Sequence, residues 1–303
     1  MTSFVFPGQG SQTSGMAKDF HDNFELVRLI FEEVEDHTKI NLKKIIFNEN
    51  EKKLNLTKFT QISIFTASYS IFRTFCAETE QDHKDFNVMM GHSLGEYTAL
   101  ACSNKISLKE CSLILKKRGE LMNNAVIPNQ TGMAALIGKD SSTIQNIIDK
   151  NNLKIEIAND NSNIQIVISG KIDEIKKSKE LFINNGIKKF IILNVSAAFH
   201  SKFMIKAQEE LSQDIEKIVF KENNIKIITN FDASIHSDSL NIKNNLKNQM
   251  ANKVNWTQSI KTLEGMGEKK IIEIGPNKVL SGLIKRISNS FDIISIDKIS
   301  DLN

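Results

Sequence analysis

Phe86-Asn87-Val88-Met89-Met90-Gly91-His92-Ser93-Leu94-Gly95-Glu96 decides how this chain is read. A short apolar run ends at a glycine, a serine follows two residues later, and a second glycine precedes an apolar segment with helical character. Gly91-His92-Ser93-Leu94-Gly95 fits Gly-x-Ser-x-Gly, the pattern of a strand-to-helix turn that lifts a serine above a parallel sheet. The turn is tight, so flanking side chains must be small. A serine there sits at a helix N-terminus, where free N–H groups and the dipole favour a developing oxyanion. The same residues also suit a plain glycine-rich turn capped by a serine.

Outward from this point the chain alternates strand-like and helix-like patterns, which predicts an α/β fold. Ser3-Phe4-Val5-Phe6 reads as a buried strand halted by Pro7-Gly8-Gln9-Gly10. Helices are expected over 22–39, 60–77, 96–102 and 108–122, and a strand over 86–90. Residues 132–196 form a block of their own: strand 133–137, helix 142–150, strands 155–158 and 165–169, helix 172–184, strand 189–195. That β-α-β-β-α-β order is a split βαβ, the ferredoxin-like unit. Further strands are expected near 225–229 and 271–274.

A serine needs an adjacent base, and six histidines are available. His21, His37 and His83 lie among polar residues and read as surface positions, and His236 as part of a polar turn. His92 adjoins the serine, but neighbours at such an elbow point apart. His200, in Val195-Ser196-Ala197-Ala198-Phe199-His200-Ser201, follows an expected strand, where active sites of α/β folds collect. A satisfied loop histidine is the competing reading.

Composition narrows the class. Apolar residues make up 40% and charged residues 25% of the 303, ordinary for a globular enzyme. With 39 basic against 36 acidic residues the net charge is +3, too weak for a nucleic-acid binder. No apolar run approaches a membrane span, and the N-terminus lacks the basic and apolar regions of a signal peptide. Cys76, Cys102 and Cys111 match no metal spacing and read as thiols of a reducing compartment, hence a cytoplasmic protein.

Five motifs, in order, resemble those of malonyl-CoA:acyl carrier protein transacylases of bacterial type II fatty acid synthesis. They are Pro7-Gly8-Gln9-Gly10-Ser11-Gln12, Gly91-His92-Ser93-Leu94-Gly95-Glu96, Lys117-Arg118-Gly119-Glu120-Leu121-Met122, the segment around His200, and Glu273-Ile274-Gly275-Pro276 with Val279-Leu280-Ser281-Gly282-Leu283. The resemblance implies a large hydrolase-like subdomain with a parallel sheet (1–130 and 197–303) and an inserted ferredoxin-like small subdomain (131–196), with the active site between them. It implies Ser93 as nucleophile and His200 as base. The oxyanion would meet the backbone N–H groups of Gln9 and Leu94. The backbone carbonyl of Gln249 would orient His200 in place of an acidic residue, and Glu96 lies on the wrong side of the elbow for that part. Arg118 would bind the malonyl carboxylate; without the resemblance it reads as an exposed helical arginine beside Lys116 and Lys117. Phe199 would crowd an α-methyl branch, and Asn159, or Asn161 in its stead, would lie near the site. No metal or cofactor is implied beyond the substrates malonyl-CoA and phosphopantetheinylated acyl carrier protein, and the protein would act as a monomer.

The sequence departs from these relatives at Lys202 and Ile62, where they often have proline. Lys202 with Lys188 and Lys189 is a candidate surface for an acidic carrier protein, or simply solvated charge. The readings in competition are a serine thioesterase on the same elbow, a transacylase serving a polyketide assembly line, and a binding protein without activity.

Overall fold

The computed structural model describes residues 2–48, 51–82, 86–127 and 130–302. His83 lies outside them. The strands are β1 (Thr2–Phe6), β2 (Val88–Gly91), β3 (Thr131–Ile137), β4 (Ile155–Ser162), β5 (Gln165–Lys171), β6 (Lys189–Ile192), β7 (Lys226–Ile228), β8 (Ile235–His236), β9 (Lys270–Ile274) and β10 (Asp292–Ile296). Ahead of β2 come the helices α1 (Lys18–Asn23), α2 (Glu25–Thr38), α3 (Leu42–Phe47), α4 (Glu51–Leu54) and α5 (Thr57–Glu78). They are followed by α6 (Leu94–Cys102), α7 (Leu108–Asn124), α8 (Ser141–Lys150), α9 (Ile172–Asn184), α10 (Ile205–Lys217), α11 (Ser239–Lys247), α12 (Trp256–Gly265) and α13 (Val279–Ile287).

Two sheets organise these elements. One has six strands in the order β10-β9-β1-β2-β7-β8, parallel except for β8. Both of its faces are covered, so its strands are apolar on both sides. Phe4, Phe6 and Met89 face one core, and Val5, Val88 and Met90 the other. The first core holds α5, a 22-residue helix buried nearly all round. There Phe4 meets Phe72, Phe75 and Phe86 edge-on, a favoured aromatic geometry. The second core is built on α12 and α13 and holds the fully buried Trp256.

The other sheet has four antiparallel strands in the order β4-β5-β3-β6, with α8 and α9 packed on it. This is the split βαβ arrangement read from 132–196. The sheets meet where β4 reaches the segment ahead of α12: Val254 N–H donates to Ala158 O at 2.9 Å, and Asp160 N–H to Val254 O at 3.0 Å.

Some expectations need correction. The strand expected over 189–195 ends at Ile192, because Val195 N–H turns back on Leu193 O and the chain leaves the sheet. His21 is only partly at the surface; its ring packs edge-on against Phe31 and Phe47. His236 sits in β8 and bonds Asp232 and Asn245. Edge strand β10 and the helices α10 to α13 were not anticipated. Among the described residues no helix is long and apolar enough to cross a membrane.

Candidate active site

The elbow owes its shape to close packing. A Cβ on Gly91 would lie 2.0 Å from the Gly95 carbonyl carbon, and one on Gly95 2.0 Å from Phe6 O. The serine between them has φ 53°, ψ −105°, a conformation that side-chain-bearing residues rarely adopt. Such strain costs about 1–3 kcal/mol and persists only where surroundings enforce it. Here Asn230 is the brace: its Oδ1 accepts Ser93 N–H at 2.6 Å and its Nδ2 donates to Gly91 O at 2.7 Å. His92 points away from Ser93; its Nε2 bonds Asn161 Oδ1 at 2.8 Å and its ring lies against Trp256.

Ser93 Oγ lies 2.8 Å from His200 Nε2. His200 Nδ1 faces two carbonyls, Gln249 O and Asn252 O, each at 3.1 Å. Two acceptors at Nδ1 require the proton there, so Nε2 is free to accept from the serine hydroxyl. No carboxylate touches the ring in these contacts. Burial first, and the charge of Arg118 second, hold His200 far below the ordinary histidine value, at about 3. The imidazole is therefore neutral at physiological pH. Its backbone φ is 53°, a second strained position at the site.

Arg118 is 1% exposed. It belongs to the inward stripe of α7 with Cys111, Ile114, Leu115 and Met122, at the i, i+3, i+4 spacing of a buried helical face. The exposed-arginine alternative is thereby excluded, whereas Lys116 and Lys117 turn outward to Thr38 O and Glu210. Arg118 Nη2 donates to Ser93 Oγ at 3.0 Å and to Gln249 Oε1 at 2.9 Å; Nη1 donates to Gln61 Oε1 at 2.6 Å. The guanidinium also lies over the Tyr97 ring. Its Nε is buried without a hydrogen-bond partner among the described residues.

Ser93, His200, Arg118 and Gln61 line a cavity of about 90 Å³. Gln9, Leu94, Asn159 and Phe199 border it, as do Met122 and Met133. Leu94 opens α6, so its N–H has no partner within the helix. Gln9 is half-buried beside it, its side chain tied to Thr57 Oγ1 at 3.3 Å. Of the two candidate asparagines, Asn159 borders the cavity while Asn161 is engaged by His92. Among the described residues no His, Cys, Asp or Glu cluster is arranged to hold a metal ion.

Sequence reasoning missed Gln61, Asn230 and Asn252. For Gln61 a signal existed: a glutamine within an otherwise apolar helix must find a partner when buried. Lys202, proposed as part of a docking surface, is paired with Glu156 at 3.3 Å, both side chains being solvent-exposed.

A serine oxygen shared by a neutral imidazole and a buried guanidinium can form an ester while gripping an anion on the acyl group. Known proteins resemble the chain over nearly its whole length. Malonyl CoA-acyl carrier protein transacylase of Bacillus subtilis is 35% identical over 298 residues, 97% of this chain and 92% of that one. The acyl-carrier-protein-S-malonyltransferase structure from Bartonella henselae superposes with a TM-score of 0.95 at 32% identity, covering 99% of this chain and 96% of that one. A malonyl-transacylase solved in complex with its type II PKS acyl-carrier protein gives a TM-score of 0.94 at 31% identity, covering 99% and 97%. The family model described as the acyl transferase domain matches residues 3–298, and the chain belongs to that family.

Proposed function

We propose that this protein is a malonyl-CoA:acyl carrier protein S-malonyltransferase that supplies malonyl units for fatty acid chain elongation. The observation that carries the reading is the convergence of His200 Nε2 (2.8 Å) and Arg118 Nη2 (3.0 Å) on one oxygen, Ser93 Oγ. A base beside a serine gives acyl transfer. A buried arginine beside the same serine selects an acyl group that ends in a carboxylate.

Ser93 Oγ attacks the thioester carbonyl as His200 Nε2 takes the hydroxyl proton. The oxyanion is received by the N–H groups of Gln9 and Leu94, where each donor is worth about 3–4 kcal/mol. Collapse breaks the C–S bond, and His200 returns the proton to the departing coenzyme A thiolate. A malonyl-serine ester remains, its carboxylate held by Arg118. The phosphopantetheine thiol of the carrier protein then attacks the ester carbonyl. His200 takes the thiol proton and delivers it to Ser93 Oγ as the C–O bond breaks. The Gln249 carbonyl holds the His200 tautomer throughout. Phe199 and Asn159 shape the acyl pocket, with Phe199 disfavouring an α-methyl branch by about 1–3 kcal/mol.

We assign residues 1–130 and 197–303 to a large subdomain and 131–196 to a small one, and read the protein as a cytoplasmic monomer whose chemistry uses no metal or redox cofactor. Intact-mass measurement after mixing with malonyl-CoA, without acceptor, tests the reading. One malonyl group should be gained, be absent in Ser93→Ala, and be released by carrier-protein thiol. Steady release of coenzyme A without an adduct would instead mean a hydrolase.

A further inference from the structure

Glu96 has no part in the transfer described above, yet it is fully buried in the first turn of α6. Its Oε2 accepts Asn230 N–H at 3.0 Å and Gln249 Nε2 at 2.8 Å, whereas Oε1 is buried with no hydrogen-bond partner among the described residues. The Gln249 amide is fully committed. Nε2 gives one hydrogen to Glu96 and the other to Ser93 O at 2.8 Å, so Oε1 must turn to Arg118 Nη2. A flipped amide would set its oxygen against two acceptors. Among the described residues the groups that touch Arg118 are neutral: Gln61, Gln249, Ser93 and the Tyr97 ring. A buried cation without a contacting anion is costly, and the carboxylate whose charge acts on Arg118 is Glu96, one amide away.

We propose that Glu96 is a positioning residue, locking the Gln249 amide so that Arg118 faces the acyl pocket, and that it takes up a proton when a substrate carboxylate settles on that guanidinium. The proposal rests on the reading of Arg118 as the ligand of the malonyl carboxylate. The geometry separates two roles for one side chain: Oε2 carries both structural bonds, and the bare Oε1 is where a proton can sit without breaking them. Burial raises Glu96 to about 7, with Gln249, Asn230 and Arg118 opposing and Asp232, in the turn after β7, adding to the rise. Tyr97 on its own helix is neutral at this pH, as a tyrosine ordinarily is, and burial raises it further, while burial keeps His200 across the site neutral. Before a substrate binds, Glu96 is thus poised between its two forms. A second carboxylate on the same cation disfavours its ionised form further. By linkage, malonyl binding takes up a proton and weakens as pH rises past the point where Glu96 ionises. An acetyl group brings no charge and has no such dependence.

The test is single-turnover acylation of the full chain by malonyl-CoA and by acetyl-CoA across pH. The ratio of the two kcat/KM values removes effects common to both donors, such as titration of the coenzyme A phosphates. In the unmodified protein the malonyl-over-acetyl ratio should fall about sixfold between about pH 6.5 and about pH 8.5, most of the tenfold that one unit of induced shift gives over the whole range. Glu96→Gln keeps an acceptor for Asn230 and Gln249 and should lose this slope. Glu96→Ala frees the amide and should lower the ratio at every pH. A flat ratio in the unmodified protein, which needs no variant to fold, overturns the proposal, and so does an unchanged slope in Glu96→Gln. If no malonyl group attaches to Ser93 at any pH, the reading of Arg118 fails first and the proposal falls with it. Adduct formation with a flat ratio removes the proposal alone.

Discussion

Replacing Arg118 with methionine tests the specificity argument most directly. The arginine is 1% exposed and presents Nη2 at 3.0 Å from the oxygen that becomes the acyl ester. A carboxylate two carbons from the ester carbonyl can take two charge-assisted hydrogen bonds there. At about 1.5–3 kcal/mol each in a water-poor pocket, and allowing for the neutral contacts given up, the loss is about 4 kcal/mol. That corresponds to roughly a thousandfold in malonyl kcat/KM. Acetyl transfer should change far less, since its methyl group makes no use of the guanidinium. Methionine removes an uncompensated buried charge but leaves Gln61 and Gln249 short of a donor, so folding stability should move by about 1–2 kcal/mol in either direction. The positive charge of Arg118 also helps to hold His200 down, so its titration should move upward in the variant. Single-turnover acylation with both donors, beside a denaturant titration, makes the measurement. Equal losses for malonyl and acetyl would refute the reasoning and reduce Arg118 to scaffolding for the serine.

Burial keeps His200 neutral down to about 3 against an ordinary 6.5. Acylation by acetyl-CoA should therefore show no acid limb near pH 6.5, and one appearing there would contradict the burial of the ring. The same depression means that stability is fully present above the unfolded value and is lost as pH falls from 6.5 towards 3, which urea midpoints against pH would follow. Glu96 has the opposite sign, because its folded value is raised from 4.5 to about 7. Its contribution is fully present below 4.5 and lost as pH rises through 7, so Glu96→Gln should gain up to about 3 kcal/mol over the unmodified protein near pH 8 and little near pH 4. A gain independent of pH would remove that account. Gly91→Ala places a Cβ 2.0 Å from the Gly95 carbonyl carbon and should cost more than about 3 kcal/mol or prevent folding; a soluble, active variant with an unchanged melting temperature would show that the elbow can relax.

Much of the site was legible along the chain because its parts are local. The elbow needs a strand, two glycines and a helix within a dozen residues, and all of them occupy one stretch. The small sheet was legible for the same reason: its β-α-β-β-α-β order is contiguous, and alternation marks each strand. The elements missed are those whose pattern is weak or whose partners are distant. Strand β10 has half-exposed residues and finds its place only by pairing with β9. Asn252 and Asn230 carry no local signal, since a loop asparagine looks the same whether it braces an active site or meets water.

The sequence by itself determined the fold class, the nucleophile turn and, through family motifs, the set of residues that would meet around it. It could do so because backbone geometry is governed by short-range sterics and the period of apolar positions. Only the tertiary structure decided what those residues feel. Whether Arg118 is exposed or buried, whether His200 is neutral, and whether Glu96 is a bystander or part of the network depend on atoms 25 to 156 residues apart in sequence. Charge energies depend on burial and on separation in space, and neither quantity is written in the order of the residues.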